Sequence, residues 1–340
     1  MFGNVYGLDL GSYEIKVYDK KSDTIWQEKD VIAIANEKQI FSVGDEAYEM
    51  YEKTPENIEI VFPMKEGVIS HFYHMQYLLQ NLLKKERRFV RGSKYIIAVP
   101  TDVTEVEKRA FYDLVIHSTA RAREVRIVER CIADALGLGL DVTHSSGIFI
   151  ANLGAETMEL SVIASGGMVL NKLVKTGGFE CDKNLASAVR YEHEFLIGRI
   201  TAEELRKYYD ISEEHLDDTK KISGRDLVTG VPQIKEISGE FVRASIEDFL
   251  NNCTTQISTL LERTPPEVRK NIERTGIYLT GGLAKQKGLS KCLEERLNVK
   301  VNTSETPEIC SVMGLKKIVQ SKELKKLTYS MLDGNYKWVE

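Results

Sequence analysis

Two short stretches carry residues whose types and spacing could hold a phosphate chain. Val5-Tyr-Gly-Leu-Asp9-Leu-Gly11-Ser12-Tyr13-Glu14-Ile-Lys-Val-Tyr reads as apolar strand, Asp-Leu-Gly, polar turn, apolar strand. Ile148-Phe-Ile-Ala-Asn152-Leu-Gly154-Ala155-Glu156-Thr157-Met-Glu-Leu-Ser-Val-Ile-Ala repeats the plan, with Asn152 in the place of Asp9. Backbone N–H groups gathered in such a turn bind anionic oxygen, and a leading carboxylate can hold a hydrated divalent cation. Taken singly, each stretch reads more readily as a plain hairpin with a glycine in its bend. Taken together, and followed by Leu279-Thr280-Gly281-Gly282, they describe two phosphate turns and a glycine corner that lets backbone approach a ligand.

Strands and helices must aim these turns. A meander of short strands is expected over residues 5–35, and a helix over about 70–86 with Phe72, Leu78, Leu79, Leu82 and Leu83 inward. Tyr95-Ile-Ile-Ala-Val99 is a buried strand by its apolar run. A helix over about 103–118 follows, with Val103, Val106, Ala110 and Leu114 as its stripe and Thr104/Glu107 at capping-box spacing. Strand 124–128 and helix 131–139 close the first half. The second half brings hairpin 147–164, strand 168–174, and Thr176-Gly177-Gly178 opening a helix over about 180–195. Val242, Ile246, Phe249, Cys253, Ile257 and Leu260 predict one helix over about 238–263, stopped by Pro265-Pro266. Strand 276–280 and helices 286–297 and 308–320 complete the chain.

Composition narrows the class. The 340 residues are long for one core and fit two domains; 29% charged and 42% hydrophobic is ordinary globular usage. A formal net charge of −5 argues against a general nucleic-acid binder. The five cysteines lack a C-x-x-C pair and read as reduced, small apolar fillers. Among the six histidines only His71 and His74 sit at helical spacing, and a solvated helix face explains them. The N-terminus leaves no room for a signal peptide, and no apolar run reaches the roughly 18 residues of a spanning helix. A cytoplasmic protein is expected.

Strand, Asp-Leu-Gly, strand, and later strand-Thr-Gly-Gly-helix, is the layout of the actin, Hsp70 and sugar-kinase superfamily. Further stretches resemble the MreB family of bacterial actins. They are Ile60-Val-Phe-Pro63-Met-Lys-Glu-Gly-Val-Ile, Val99-Pro-Thr-Asp-Val-Thr-Glu-Val-Glu-Lys-Arg-Ala110, Ile197-Gly-Arg-Ile-Thr-Ala-Glu-Glu-Leu, Gly224-Arg-Asp-Leu-Val-Thr-Gly-Val-Pro232, Arg263-Thr-Pro-Pro-Glu-Val and Thr275-Gly-Ile-Tyr-Leu-Thr-Gly-Gly. The resemblance runs from about residue 6 to about residue 320. It implies an α/β, actin-like, RNase H-like fold of two domains with a central cleft that holds ATP or ADP with Mg²⁺. Domain I would cover 1–145 and a C-terminal helix at about 306–325, with an IB insertion at about 33–65. Domain II would cover 146–305, with a IIB insertion at about 182–240. The resemblance places Ser12, Tyr13 and Glu14 on the first phosphate turn and Asp9 on the metal side, through water. Gly154, Ala155, Glu156 and Thr157 fall on the second turn. Glu203, Glu204, Leu205 and Arg206 fall on a nucleoside-contacting helix, and Gly281, Gly282, Leu283 and Ala284 on the adenosine turn.

Two departures from that pattern bear on chemistry. The family's second turn reads Asp-Ile-Gly-Gly-Gly-Thr-Thr; here the carboxylate is the neutral amide Asn152, and Glu156 replaces a glycine. A glutamate beside phosphate oxygens is repulsive by about 1–4 kcal/mol at ~4 Å, depending on screening. The family's Glu-Glu-Pro becomes Glu129-Arg130-Cys131. An arginine stands where the resemblance implies a water-positioning glutamate, and it cannot act as a general base. Arg130 would instead balance Glu156 or contact a phosphate; a one-residue slip would give Glu129 the catalytic role. Hydrolysis is therefore expected to be absent or very slow, and nucleotide binding weakened or altered.

Six basic residues between Lys84 and Lys94 surround Phe89 and Val90. The resemblance implies a loop here that dips into the bilayer, with Phe89, Val90, Arg88 and Arg91 at its tip and about 1 kcal/mol per basic residue from anionic lipid. A solvated helix end with a buried phenylalanine is the alternative. The function so implied is a filament subunit, self-associating into protofilaments at the inner face of the cell membrane and working with cell-elongation proteins. A non-polymerising pseudo-actin that caps or modulates a partner is the alternative. A sugar kinase lacks its catalytic-aspartate motif here, and an Hsp70-type ATPase would need a peptide-binding domain after residue 320.

Overall fold

The computed structural model describes residues 3–36, 39–85, 92–117, 122–213, 216 and 218–332. The chain divides into two compact units, one of Met1–Ser145, Ile163–Leu173 and Ile309–Glu340, the other of Ser146–Val162 and Val174–Glu308.

In the first unit, β1 (Val5–Leu10), β2 (Glu14–Asp19) and β3 (Thr24–Lys29) form the expected antiparallel meander. A small sheet of order β5-β4-β6 follows, built from β4 (Ile32–Ala35), β5 (Gln39–Val43) and β6 (Ile58–Val61), with α1 (Asp45–Tyr48) between its last two strands in sequence. β7 (Met64–Lys65) and β8 (Val68–Ile69) make a two-stranded hairpin. After α2 (Phe72–Lys85) the chain enters β9 (Lys94–Val99), which pairs parallel to β1. After α3 (Glu105–Ile116) it enters β10 (Glu124–Glu129), parallel to β9, and α4 (Arg130–Gly137). The sheet order is β10-β9-β1-β2-β3. Parallel neighbours need crossovers, and α2 and α3 supply them. Tyr6, Leu8, Leu10, Ile97, Val99 and Ile127 are buried in its core.

The capping box at Thr104 is present, with Glu107 N–H donating to Thr104 Oγ1 and Glu107 Oε2 accepting from Thr104 N–H. The stripe of α3 is rotated from the expected one. Leu114 is buried as expected, but so are Lys108, Phe111, Tyr112 and Val115, while Val106 is 80% exposed. Two aromatic rings outweigh one valine for burial, and the buried Lys108 head is held by Glu129 at 3.2 Å, so an apolar count misses it.

The second five-stranded sheet has the order β13-β12-β11-β17-β18. Its strands are β11 (Ile148–Leu153), β12 (Met158–Ala164), β13 (Gly167–Val174), β17 (Ile277–Thr280) and β18 (Val301–Thr303). Between β13 and β17 lie α5 (Gly178–His193), β14 (Phe195–Leu196), α6 (Arg199–Tyr208), β15 (Thr219–Asp226), β16 (Pro232–Ser238), α7 (Gly239–Ser245), α8 (Glu247–Arg263) and α9 (Pro266–Thr275). α10 (Leu289–Leu297) precedes β18. The single helix expected over 238–263 is two helices that meet at Ile246, whose φ of −105° and ψ of 3° leave the helical region. Ser245 Oγ donates to Phe241 O four residues back, a local bond that disturbs helix geometry. The apolar period runs through because both pieces bury the same side. The helix expected at 286–297 starts at Leu289, with a 3₁₀ turn over Gly282–Lys285 before it.

α11 (Cys310–Gln320) returns to the first unit and packs along α4, where Ser311 Oγ donates to Asp134 Oδ1 at 2.5 Å. Beyond it, Tyr329 exchanges both backbone hydrogen bonds with Ile127 on edge strand β10.

Candidate nucleotide-binding turns

The two glycine turns are closed by the same backbone hydrogen bond. Gly11 N–H donates to Glu14 O at 3.2 Å, and Gly154 N–H donates to Thr157 O at 2.8 Å. Each leaves the carboxyl end of a central strand, β1 or β11, that has a parallel neighbour. Ligands of open α/β sheets bind at that end of the strands.

Around the first turn the fixing groups are side chains. Ser12 Oγ accepts from Gly67 N–H at 3.4 Å, which ties the turn to the β7–β8 hairpin. Lys29 pairs with Glu14 and sits 3.9 Å from the centre of the Tyr13 ring; Lys16 lies 3.7 Å from Glu14. Tyr13 and Tyr48 hydroxyls are 3.3 Å apart. The parallel register sets Asp9 of β1 beside Ala98 of β9, and Glu129 of β10 beside Val99. Arg130, the next residue, therefore starts two strand spacings, roughly 9.5 Å, from β1. Its side chain crosses β9. Nε comes within 3.5 Å of Asp9 Oδ1, and Nη2 donates to Leu10 O at 3.1 Å. Both side chains are buried, 7% and 8% exposed.

Around the second turn the fixing groups are backbone. Gly178 N–H donates to Gly154 O at 3.0 Å and Phe179 N–H to Ala155 O at 2.7 Å. C=O and N–H are antiparallel across a trans peptide, so the amides of Ala155 and Glu156 point away from α5. A Cβ on Gly177 would lie 2.7 Å from Ala155 O. The third corner lies beside this turn. Asn152 of β11 is opposite Thr280 of β17, and Gly281 follows with φ +86°. A Cβ there would meet Leu153 O at 2.4 Å and Asn152 Oδ1 at 2.7 Å, whereas one on Gly282 would meet nothing within 4 Å.

The MreB/Mbl protein family model matches residues 3–327. The chain belongs to the MreB/Mbl family. Cell shape-determining protein MreB of Escherichia coli K12 is 31% identical over 325 residues, 92% of each chain. Cell shape-determining protein Mbl of Bacillus subtilis 168 is 29% identical over 320 residues, 92% of this chain and 95% of that one. The crystal structure of MreB5 of Spiroplasma citri bound to AMPPNP superposes with a TM-score of 0.90 at 28% identity, covering 96% of this chain and 98% of that one. The fold is actin-like, as the sequence resemblance implied.

Set against the MreB pattern, the expected site residues fall into distinct places. Ser12, Tyr13 and Glu14 line the first turn, and Gly154 to Thr157 the second. On α6 the four expected residues do not share a face. Leu205 is fully buried in the core and Glu204 is exposed. Glu203 pairs with Lys207 and lies 3.8 Å from Arg199. Arg206 is buried; its Nε donates to Asp182 Oδ1 at 2.7 Å and its Nη1 to Gln286 Oε1 at 3.0 Å. It ties α6 to α5 and to the segment after Gly281. Burial pushes the Asp182 carboxyl above its usual range, with Arg206 opposing. Leu283 and Ala284 are buried behind the corner that Gly281 and Gly282 form.

Arg130 reaches Asp9 and the Leu10 carbonyl, partners that the sequence did not suggest. Sequence spacing could not show this, because the pair joins strands 121 positions apart through parallel register. Glu129 Oε1 accepts from Lys108 Nζ at 3.2 Å and from Tyr329 OH at 2.9 Å, which holds it among structural partners. The Mg²⁺ that the family resemblance implies is poorly served by these donors. Asp9 faces a guanidinium, Asn152 is neutral, and among the described residues no cluster of three His, Cys, Asp or Glu side chains could hold an ion. Phe89, Val90, Arg88 and Arg91 lie outside the described residues. No described helix is long and apolar enough to cross a membrane.

Proposed function

We propose that this chain is an MreB-type actin that holds ATP or ADP on its glycine turns, assembles with copies of itself at the inner face of the cell membrane, and helps organise cell-wall synthesis and cell shape with little or no hydrolysis. The observation that carries the reading is the repeated turn: one hydrogen bond, from glycine N–H to the carbonyl three residues on, closes both loops at the carboxyl ends of β1 and β11. Amides aimed outward from such turns suit phosphate. A relative of 28% identity is known with AMPPNP bound. Slow hydrolysis rests on Arg130, which cannot take a proton from water, and on Glu129, whose carboxylate is engaged by Lys108 and Tyr329. Self-association has support in the β15–β16 hairpin, where Val228, Val231 and Ile234 are exposed.

The domain limits proposed are 1–145 with about 306–325, and 146–305, the β4–β6 and β14–β16 sheets being the IB and IIB insertions. Calorimetric titration with ATP tests binding; heat with a saturating stoichiometry is expected. A phosphate-release assay with ATP tests turnover, and a rate matching Escherichia coli MreB overturns the hydrolysis reading. Negative-stain microscopy and vesicle co-sedimentation, with Phe89→Asp as the variant, test assembly and membrane binding. Persistent monomers would favour the second reading, a pseudo-actin that modulates a partner, for which the closed Asp9–Arg130 pair is the favouring observation.

A further inference from the structure

At its amino end the first sheet brings cations together by register. Lys20 N–H, just past β2, donates to Val5 O at 3.1 Å; Val5 of β1 stands opposite Lys94 of β9, and Lys94 opposite Glu124 of β10. Aligned residues of neighbouring strands share a face, and Arg126, two positions past Glu124, shares it too. Lys94 pairs with Glu124, and Arg126 Nη1 lies 3.8 Å from the same carboxylate. Arg126 also reaches past the sheet: Nε donates to Thr328 Oγ1 and Nη2 to Thr328 O, both at 2.5 Å. Thr328 in turn donates to Lys325 O, from its N–H at 3.1 Å and from Oγ1 at 2.7 Å. These bonds seat Lys325, on the 3₁₀ turn Leu324–Leu327, beside the row.

Lys325 is partly buried, and among the described residues its ammonium has no ion-pair partner; the exposed Lys20 has none either. Burial pushes the Lys325 ammonium below its usual range; Lys20, Lys94 and Arg126 push the same way, and Glu124 opposes them. An amine kept neutral by burial and by neighbouring cations is a nucleophile. The same cations attract an anionic reagent, and phosphate oxygen suits them.

We propose that Lys325 is an acylation site whose donor, an acyl phosphate, is drawn in by Lys20 and its neighbours Lys94 and Arg126. The Lys325 nitrogen attacks the acyl carbon. The bond from that carbon to the phosphate oxygen breaks, and phosphate departs with the electron pair and takes the amine proton. An amide replaces an ammonium that its surroundings oppose, so the acylated chain loses one positive charge without losing an ion pair.

The test incubates the full folded chain with acetyl phosphate near neutral pH and reads acetyl occupancy at each lysine by mass spectrometry. Lys322 and Lys326, exposed on the same segment, are the internal references. The initial rate at Lys325 is expected to exceed theirs by about threefold or more, and to level off at lower pH. Equal or slower acetylation at Lys325 overturns the proposal. In urea the preference should vanish; one that survives unfolding belongs to the local sequence and overturns it too. N-acetoxysuccinimide, an uncharged donor, separates nucleophilicity from attraction. With it the lead of Lys325 should shrink by about twofold or more, and an undiminished lead overturns the role given to the cations. Lys20→Gln, at an exposed side chain, should slow acetyl phosphate at Lys325 by about twofold or more, and the uncharged donor less. An unchanged rate in that variant overturns the part given to Lys20.

Discussion

After β1 the glycine loop is held by charges: Glu14 by Lys29 and Lys16, Asp9 by Arg130, Ser12 by the Gly67 amide. After β11 the loop of the same shape is held by backbone: Gly154 and Ala155 carbonyls by the first amides of α5, with Gly177 and Gly281 packed where no side chain fits. The first loop owes its fit to residue charge, the second to residue size. A repeated motif can therefore keep its geometry while each copy is vulnerable to a different kind of substitution.

Four changes would break or sharpen that contrast. The largest effect is expected in the first unit. Arg130→Ala leaves a buried carboxylate without its cation and should cost about 3–5 kcal/mol in urea unfolding, while Asp9→Asn/Arg130→Gln recovers most of that loss. An additive double variant would mean that the pair is not coupled. Next comes Gly281→Ala, which combines φ +86° with a carbonyl 2.4 Å from the new Cβ; about 2–4 kcal/mol is expected from strain and clash. Gly11→Ala, with its nearest contact at 3.0 Å, should cost clearly less.

Smaller still are the pH effects, and they have opposite signs. Lys94 holds the Glu124 carboxyl below its usual range, so its contribution to stability is present above the unfolded-state pKa and is lost as pH falls through the folded one. Glu124→Gln should flatten that acid limb, by under about 1 kcal/mol for so exposed a pair. Burial raises the Asp182 carboxyl, so its contribution is present below the unfolded-state pKa and is lost as pH rises through the raised folded value. Asp182→Asn should remove that decline from the stability profile. The smallest effect is a null result with thiol reagents. The five cysteines are buried, and Cys181 and Cys253 are pushed up to about 12 by burial, so native protein should not label and denatured protein should label at all five.

Much of this was legible in the chain because local chemistry decides it. The Gly11 and Gly154 loops, the Thr104 cap and the apolar run of β9 depend on neighbours within a few positions. The MreB resemblance then supplied the order of the elements. What escaped depends on distant partners. The buried face of α3 turns on Lys108, which reads as polar until Glu129 is placed beside it. The break at Ile246 hides under an unbroken apolar period. Arg206 is held by Asp182 and Gln286 from distant segments, partners that spacing along the chain does not reveal. Arg130 reads as a lost catalytic group, and only the parallel register of β1, β9 and β10 shows it facing Asp9.

The bridge between Tyr329 and Ile127 has a practical corollary. β10 is the margin of its sheet, and a margin with open donors and acceptors recruits other strands. Tyr329 caps one rung of that margin, and its hydroxyl also grips Glu129. A shortened protein stopping before Thr328 would uncover the rung and leave the glutamate with Lys108 but without its tyrosine partner. Clumping of such a product would imitate genuine polymer in a pelleting assay, so assembly is best measured on the uncut molecule.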